Sequence, residues 1–284
     1  MRNQLPVALA TPSVFSVYKN PPDLSEALVL AISQSGKSPD IISVVEEANK
    51  QGRPTVAITN DPDSPLAQAA DEVIPLHAGI EKAIAATKTY TSSLVALAML
   101  SSSLSADRGM SDEIAKLPRW TETALAGILP LVGRMERYRF MEHFAVIGRG
   151  YNYCTAFEIA LKVKELTGVV AEPYSSADFL HGPIATIHKG FPVLVVAHTG
   201  KVHNDLKDTI RKLVDLGAEV ITISDDPIVN SMVQFPISIS NGIPEWLSPV
   251  PNVLPGQIFG WQLAVQKGLD PDFPKGLIKV TETV

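Results

Sequence analysis

ALVLAISQSGKSPDIISVVEEA, residues 27–48, decides how this chain is read. An apolar run at 27–32 breaks into Ser33-Gln34-Ser35-Gly36-Lys37-Ser38-Pro39-Asp40. Apolar residues then return at helical spacing in Ile41, Val44, Val45 and Ala48. A short continuous apolar run, a turn rich in hydroxyls and an amphipathic stretch predict a buried parallel strand, a tight turn and a helix. The turn has two readings. Ser38 or Ser35 caps the helix, or the free amides at the helix start and the serine hydroxyls together receive an anion such as a phosphate. Gly-Lys-Ser suggests a nucleotide-binding loop, but that motif needs a glycine five positions before Gly36, where Ala31 stands.

Outward from this stretch, further apolar runs at 6–10, 54–59 and 72–76 predict strands, and residues 83–104 predict a long helix rich in small side chains. A polar joint at 105–110 leads into a helical region at 111–138. Strands are expected at 144–147, 169–172, 192–197, 219–223 and 235–239, with helices at 151–166, 203–216 and 253–266. Alternating strands and helices, with strands apolar throughout, predict an α/β fold of two doubly wound parallel sheets. The domains are expected at 1–110 and 111–284.

The halves repeat. Residues 52–62 read GRPTVAITNDP and residues 217–227 read GAEVITISDDP, at the same spacing. In this alignment His198-Thr199-Gly200 stands where Ser33-Gln34-Ser35-Gly36 stands in the first half. The second half also opens with a strand, Gly148-Arg149-Gly150 and a helix, for which the first half has no counterpart. The expectation is that the first domain lacks its N-terminal strand–helix unit, as in a truncated or mis-started version of a longer protein.

Composition narrows the classes. Of 284 residues, 45% are hydrophobic and 19% charged, enough for a large core and unlike a disordered chain. A net charge of −6 argues against a general nucleic-acid binder, though not against one small phosphorylated ligand. The single cysteine, Cys154, excludes an internal disulfide framework and fits a reducing cytoplasm. No apolar run reaches the ~18 residues of a membrane span, and MRNQLPVALATPSV does not read as a signal peptide. The histidines at 77, 143, 181, 188, 198 and 203 form no zinc motif, so no metal is expected.

Several residues could carry chemistry. Glu158, Lys162 and Glu165 share one helix face, which reads either as a solvated ion-pair stripe or as a carboxylate able to move a proton between adjacent sugar carbons. Gly148-Arg149-Gly150 is a weak match to a dinucleotide fingerprint, because the last glycine of that pattern would fall at Tyr153; a tight turn is the plainer reading. His181 lies in a turn before Gly182-Pro183, and Lys279 in an apolar tail.

Five ordered blocks resemble the sugar isomerase (SIS) family, nearly throughout the chain. They are AISQSGKSPD at 31–40, AATKTYTSSL at 85–94, GRGYNYCTAFEIALKVKE at 148–165, AEPYSSADFLHGP at 171–183 and GLIKVTETV at 276–284. They resemble most the SIS-type glucosamine-6-phosphate deaminases and the isomerase half of glucosamine-6-phosphate synthases. The resemblance implies two tandem SIS domains of flavodoxin-like order and a homodimer. It implies that Ser33, Gln34, Ser35 and Ser38 hold a sugar phosphate with Thr87 closing the pocket, and that Glu165 is the base between C1 and C2. It further implies that His181 opens the sugar ring, in some members from the neighbouring subunit, that Lys279 reaches the open-chain carbonyl, and that Glu158 and Lys162 support the site. No cofactor is implied. No stretch resembles a glutamine-hydrolysing domain, which favours ammonia release or simple isomerisation over synthesis; the first expectation is release of ammonia from glucosamine 6-phosphate, giving fructose 6-phosphate. The alternatives are a phosphosugar isomerase without deamination and a non-catalytic sugar-phosphate sensor.

Overall fold

The computed structural model describes residues 3–105, 107–277 and 279. They fall into two compact units, one built from the residues up to Ser111 together with Lys279, the other from Asp112–Leu277.

In chain order the first unit contains α1 (Pro12–Ser16), β1 (Val29–Ser33), α2 (Pro39–Lys50), β2 (Thr55–Thr59), α3 (Pro65–Ala69), β3 (Glu72–Pro75) and α4 (Lys88–Ser103), and α5 (Gly109–Ile114) carries the boundary between the units. Its sheet is parallel, in the order β1-β2-β3, with Ala31 opposite Ala57 and Ile58 opposite Ile74. Val44, Val45 and Ala48 of α2 are buried, and Val45 packs with Ala31, Ala57 and Leu66. The expected strand at 6–10 does not form. Val7 is 88% and Leu9 98% exposed, because no strand among the described residues pairs with that backbone or covers those side chains. The long helix also begins later than expected, at Lys88.

The second unit contains α6 (Leu117–Ile128), a 3₁₀ segment at Leu129–Tyr138, β4 (His143–Gly148), α7 (Tyr153–Thr167), β5 (Val170–Ser175), α8 (Ser176–Leu180), β6 (Pro192–Val196), α9 (His203–Asp215), β7 (Glu219–Ser224), α10 (Pro227–Ser231), β8 (Phe235–Ser238) and α11 (Pro249–Gln266). All five strands are parallel, in the order β5-β4-β6-β7-β8, the flavodoxin-like arrangement. Phe144 to Ile147, Val193 to Val196 and Val220 to Ile223 are fully or almost fully buried, which is why these strands read as unbroken apolar runs.

The repeat seen in the sequence is a repeat of hydrogen bonds. Thr59 Oγ1 donates to the Gln34 carbonyl and accepts from the Asp61 amide. Ser224 Oγ donates to the Ala197 carbonyl and accepts from the Asp226 amide. In each unit the hydroxyl at the end of one strand, β2 or β7, ties down the turn that follows the strand before it, β1 or β6. No helix among the described residues is long and apolar enough to cross a membrane.

Candidate functional site

In the first unit the chemistry collects at the carboxyl ends of the strands, where open parallel sheets bind ligands. Ser33 ends β1, and its hydroxyl accepts from the Gly36 amide at 3.2 Å; the Ser35 hydroxyl accepts from the Lys37 amide at 3.4 Å. Gly36 takes φ +62°, and its carbonyl accepts from the Leu66 amide at 3.0 Å. Ser38 occupies the N-cap position of α2 in extended conformation, yet its hydroxyl makes no capping bond. The capping reading of Ser38 is therefore set aside, and its hydroxyl remains open to another acceptor or donor. Pro39 has no amide proton to leave unsatisfied in the first turn. Asp40 accepts from the Ser16 hydroxyl, which fastens α1 to this end of α2.

Two residues that the motif reading missed fix this region, one at the turn and one at the start of α4. Asn60 donates its amide to the Gln34 carbonyl, its side chain donates to the Gly79 carbonyl, and its Oδ1 accepts from the Ala78 amide. It thus ties the turn after β1 to the segment leading to Thr87. Glu81 is buried, and its Oε2 accepts from the Thr87 amide, the Thr89 amide and the Thr89 hydroxyl at 3.0–3.1 Å. This carboxylate caps α4 and fixes its start, which is why the helix begins at Lys88. Thr87 stands at the cap with its own side chain making no capping bond. An acid six residues before a Thr-Lys-Thr was the available signal. Lys279 groups with this unit, its ammonium donating to the Ala83 carbonyl at 3.2 Å; the other residues of the tail from 278 lie outside those described.

In the second unit Gly148-Arg149-Gly150 forms a tight turn. A β-carbon on Gly148 would lie 2.2 Å from the Asn152 carbonyl oxygen, and Gly150 takes φ +60°. Tyr153 then begins α7, whose inner face carries Glu158 and Lys162, 6% and 3% exposed. The solvated-stripe reading fails here, because α11 covers that face. Gly256 and Gly260 of α11 let its backbone approach Ile159 and Val163, and Gln257 donates to Glu158 Oε1 at 3.1 Å. The Lys162 ammonium lies 3.9 Å from Glu158 Oε1 and makes a close ion pair with Glu165. Glu165 is the open member of the group, its side chain 26% exposed. Burial, opposed by Lys162 and the Gln257 amide, raises the Glu158 carboxyl to about 7. One ammonium between two carboxylates, one enclosed and one accessible, can hold a proton inside while presenting a base outside.

His181 follows α8 at an exposed position, its side chain without a hydrogen-bond partner among the described residues. Nearby in the chain, Asp205 accepts from the Ser176 hydroxyl and pairs with Arg149 at 2.7 Å. Partial burial opposes ionisation of Asp205, but those two partners outweigh it and hold the carboxyl below its usual range.

The second unit's counterpart of the serine turn is filled differently. The Thr199 amide donates to Asp225 Oδ1 at 2.8 Å and the Lys201 amide to Glu245 Oε2 at 3.2 Å, with the Glu245 carboxylate lying against Gly200. His198, buried beneath, donates from Nε2 to the Ile243 carbonyl. The chain's own carboxylates sit on these amides; in the first unit serine hydroxyls do.

Two parallel α/β units, one with a serine-lined turn and one with an enclosed carboxylate–ammonium–carboxylate group, define a protein built from a duplicated ligand-binding fold. The SIS domain model matches residues 24–103 and 141–235, and the chain belongs to the SIS domain family. The glutamine–fructose-6-phosphate aminotransferase [isomerizing] of Thermococcus kodakarensis is 35% identical over 263 residues, covering 89% of this chain and 44% of that protein. The chain thus spans less than half the length of that curated relative. Among solved structures, the C-terminal domain of glucosamine-fructose-6-phosphate aminotransferase from Francisella tularensis superposes with a TM-score of 0.88 at 26% identity, over 96% of this chain and 80% of that one. A glucosamine-6-phosphate deaminase from Thermotoga maritima shares the fold, with a TM-score of 0.77 at 24% identity over 96% of this chain and 80% of that one.

Proposed function

We propose that the chain acts on a phosphosugar, converting glucosamine 6-phosphate and water to fructose 6-phosphate and ammonia. The observation that carries this reading is the pairing of Lys162 with both Glu158 and Glu165, in which Glu165 is the carboxylate open to solvent. In the proposed reaction Ser33, Gln34, Ser35 and Ser38 hold the phosphate, with Thr87 closing that end. His181 moves the proton from the anomeric hydroxyl to the ring oxygen, opening the sugar. Glu165 takes the C2 proton of the open-chain aldehyde and returns it at C1, giving the 2-imine of fructose 6-phosphate. Water adds to that imine, and ammonia leaves. Lys279 is proposed to reach the open-chain carbonyl. A sugar anchored by its phosphate gains the orientation that proton transfer needs. The exposed ring of His181, without a hydrogen-bond partner among the described residues, suits a residue lent to a second copy of the chain, so a homodimer is part of the proposal.

The relatives' name favours a second reading, isomerisation of the sugar phosphate without release of ammonia. An assay of ammonia release from glucosamine 6-phosphate, on the protein and on Glu165→Gln, separates the two. Ammonia from the protein and a loss of about 10²–10⁴-fold in the variant is expected. Isomerisation with no ammonia selects the second reading, and full activity in Glu165→Gln removes Glu165 as the base in either.

A further inference from the structure

Gln257 lies outside every motif that pointed to the site, yet it is buried on α11 with its amide on the enclosed carboxyl of α7. Gly256 beside it leaves no room for movement, since a β-carbon there would fall 2.2 Å from Ile159. The charged groups bearing on Glu158 are Lys162 and Glu165, both on its own helix; α11 contributes a neutral amide. An amide nitrogen can only donate, so it favours Glu158 as an acceptor with Oε1 turned toward α11 and toward Lys162.

We propose that Gln257 is a positioning residue, which sets how the single ammonium of Lys162 is divided between Glu158 and Glu165. The proposal rests on the reading of Glu165 as the base. With the amide in place Glu158 ionises near neutrality and draws on Lys162; without it Glu158 stays neutral over a wider range and Lys162 belongs to Glu165 alone. The accessible carboxylate then meets a stronger positive field and becomes a weaker base.

The test is a carbon-13 titration of glutamate carboxyls in the protein and in Gln257→Met, a near-isostere without the donor. Glu158 is assigned by the signal lost in Glu158→Gln. A midpoint near pH 7 is expected in the protein, displaced upward in Gln257→Met by about one pH unit, the size of one hydrogen bond to a charged acceptor. The acid limb of kcat/KM is expected to move down in pH. If Gln257→Met does not fold, Gln257→Asn reads the same titration, since the shorter side chain withdraws the amide. An unmoved Glu158 midpoint in a folded variant overturns the proposal. The titration needs no turnover, so its failure is distinct from a silent ammonia assay, which would count against the proposed reaction alone.

Discussion

Gly36 approaches Ser64 so closely that a β-carbon at position 36 would fall 2.1 Å from the Ser64 hydroxyl oxygen. Ser64 caps α3 by accepting from the Ala67 amide, so the turn after β1 and the start of α3 are locked by one contact. Gly36→Ala combines that collision with a left-handed backbone. A loss of about 3 kcal/mol is expected, read by chemical denaturation; a loss below about 1 kcal/mol would show that the turn gives way easily.

Ser38 allows stability and binding to be separated. A capping serine replaced by alanine costs about 1 kcal/mol, but this hydroxyl does no capping. Ser38→Ala is expected to change stability by less than about 0.5 kcal/mol while raising KM for the sugar phosphate about tenfold, one lost hydrogen bond to a charged group. Melting and steady-state kinetics on one preparation check both halves.

Glu158 makes stability depend on pH in an unusual direction. Its folded carboxyl sits near 7 against an ordinary 4.5, so between those values the folded chain holds a proton the unfolded chain has released. Stability is fully present below about pH 4.5 and falls as pH rises to about 7, by about 3 kcal/mol from this group. Glu158→Gln is expected to flatten that fall. Parallel stability profiles for the two proteins, followed by denaturation between pH 4.5 and 7.5, would sink the assignment.

The contact of α11 with α7 is set by the absence of a side chain. Gly256→Ala is expected to cost about 1–3 kcal/mol by forcing the helices apart at Ile159. Ile159→Ala alone leaves a cavity and costs about 2–5 kcal/mol. The double variant is expected to lose clearly less than the sum, because the new methyl enters the space Ile159 vacates. Strict additivity in that cycle would mean the two positions do not meet.

The sequence disclosed whatever was local or buried on both sides. β4, β6 and β7 were legible because an apolar run enclosed by two layers has no polar positions to blur it. Residues 6–10 carry the same kind of run but lack a neighbouring strand, and no pattern within five residues reports that lack. The five-residue helices α1, α3, α8 and α10 were missed, being too short to show a helical period. The site divided in the same way. Ser33, Gln34, Ser35 and Ser38 fall together because they are contiguous, and Glu158, Lys162 and Glu165 because helix spacing brings them onto one face. Whether that face was wet or dry depended on Gln257, 99 residues further on. Asn60 and Glu81 act through backbone groups of other segments, which spacing within a motif does not reveal.

The two equivalent turns differ in what already rests on their amides. At the second, Asp225 and Glu245 present negative charge where an incoming anion would have to dock; at the first, neutral hydroxyls leave that approach uncharged. Duplication of the scaffold therefore does not double its capacity at these turns. On the proposed reading the serine turn alone is left to take a small oxyanion, and the copy filled by Asp225 and Glu245 is free to vary in any way that keeps those carboxylates seated.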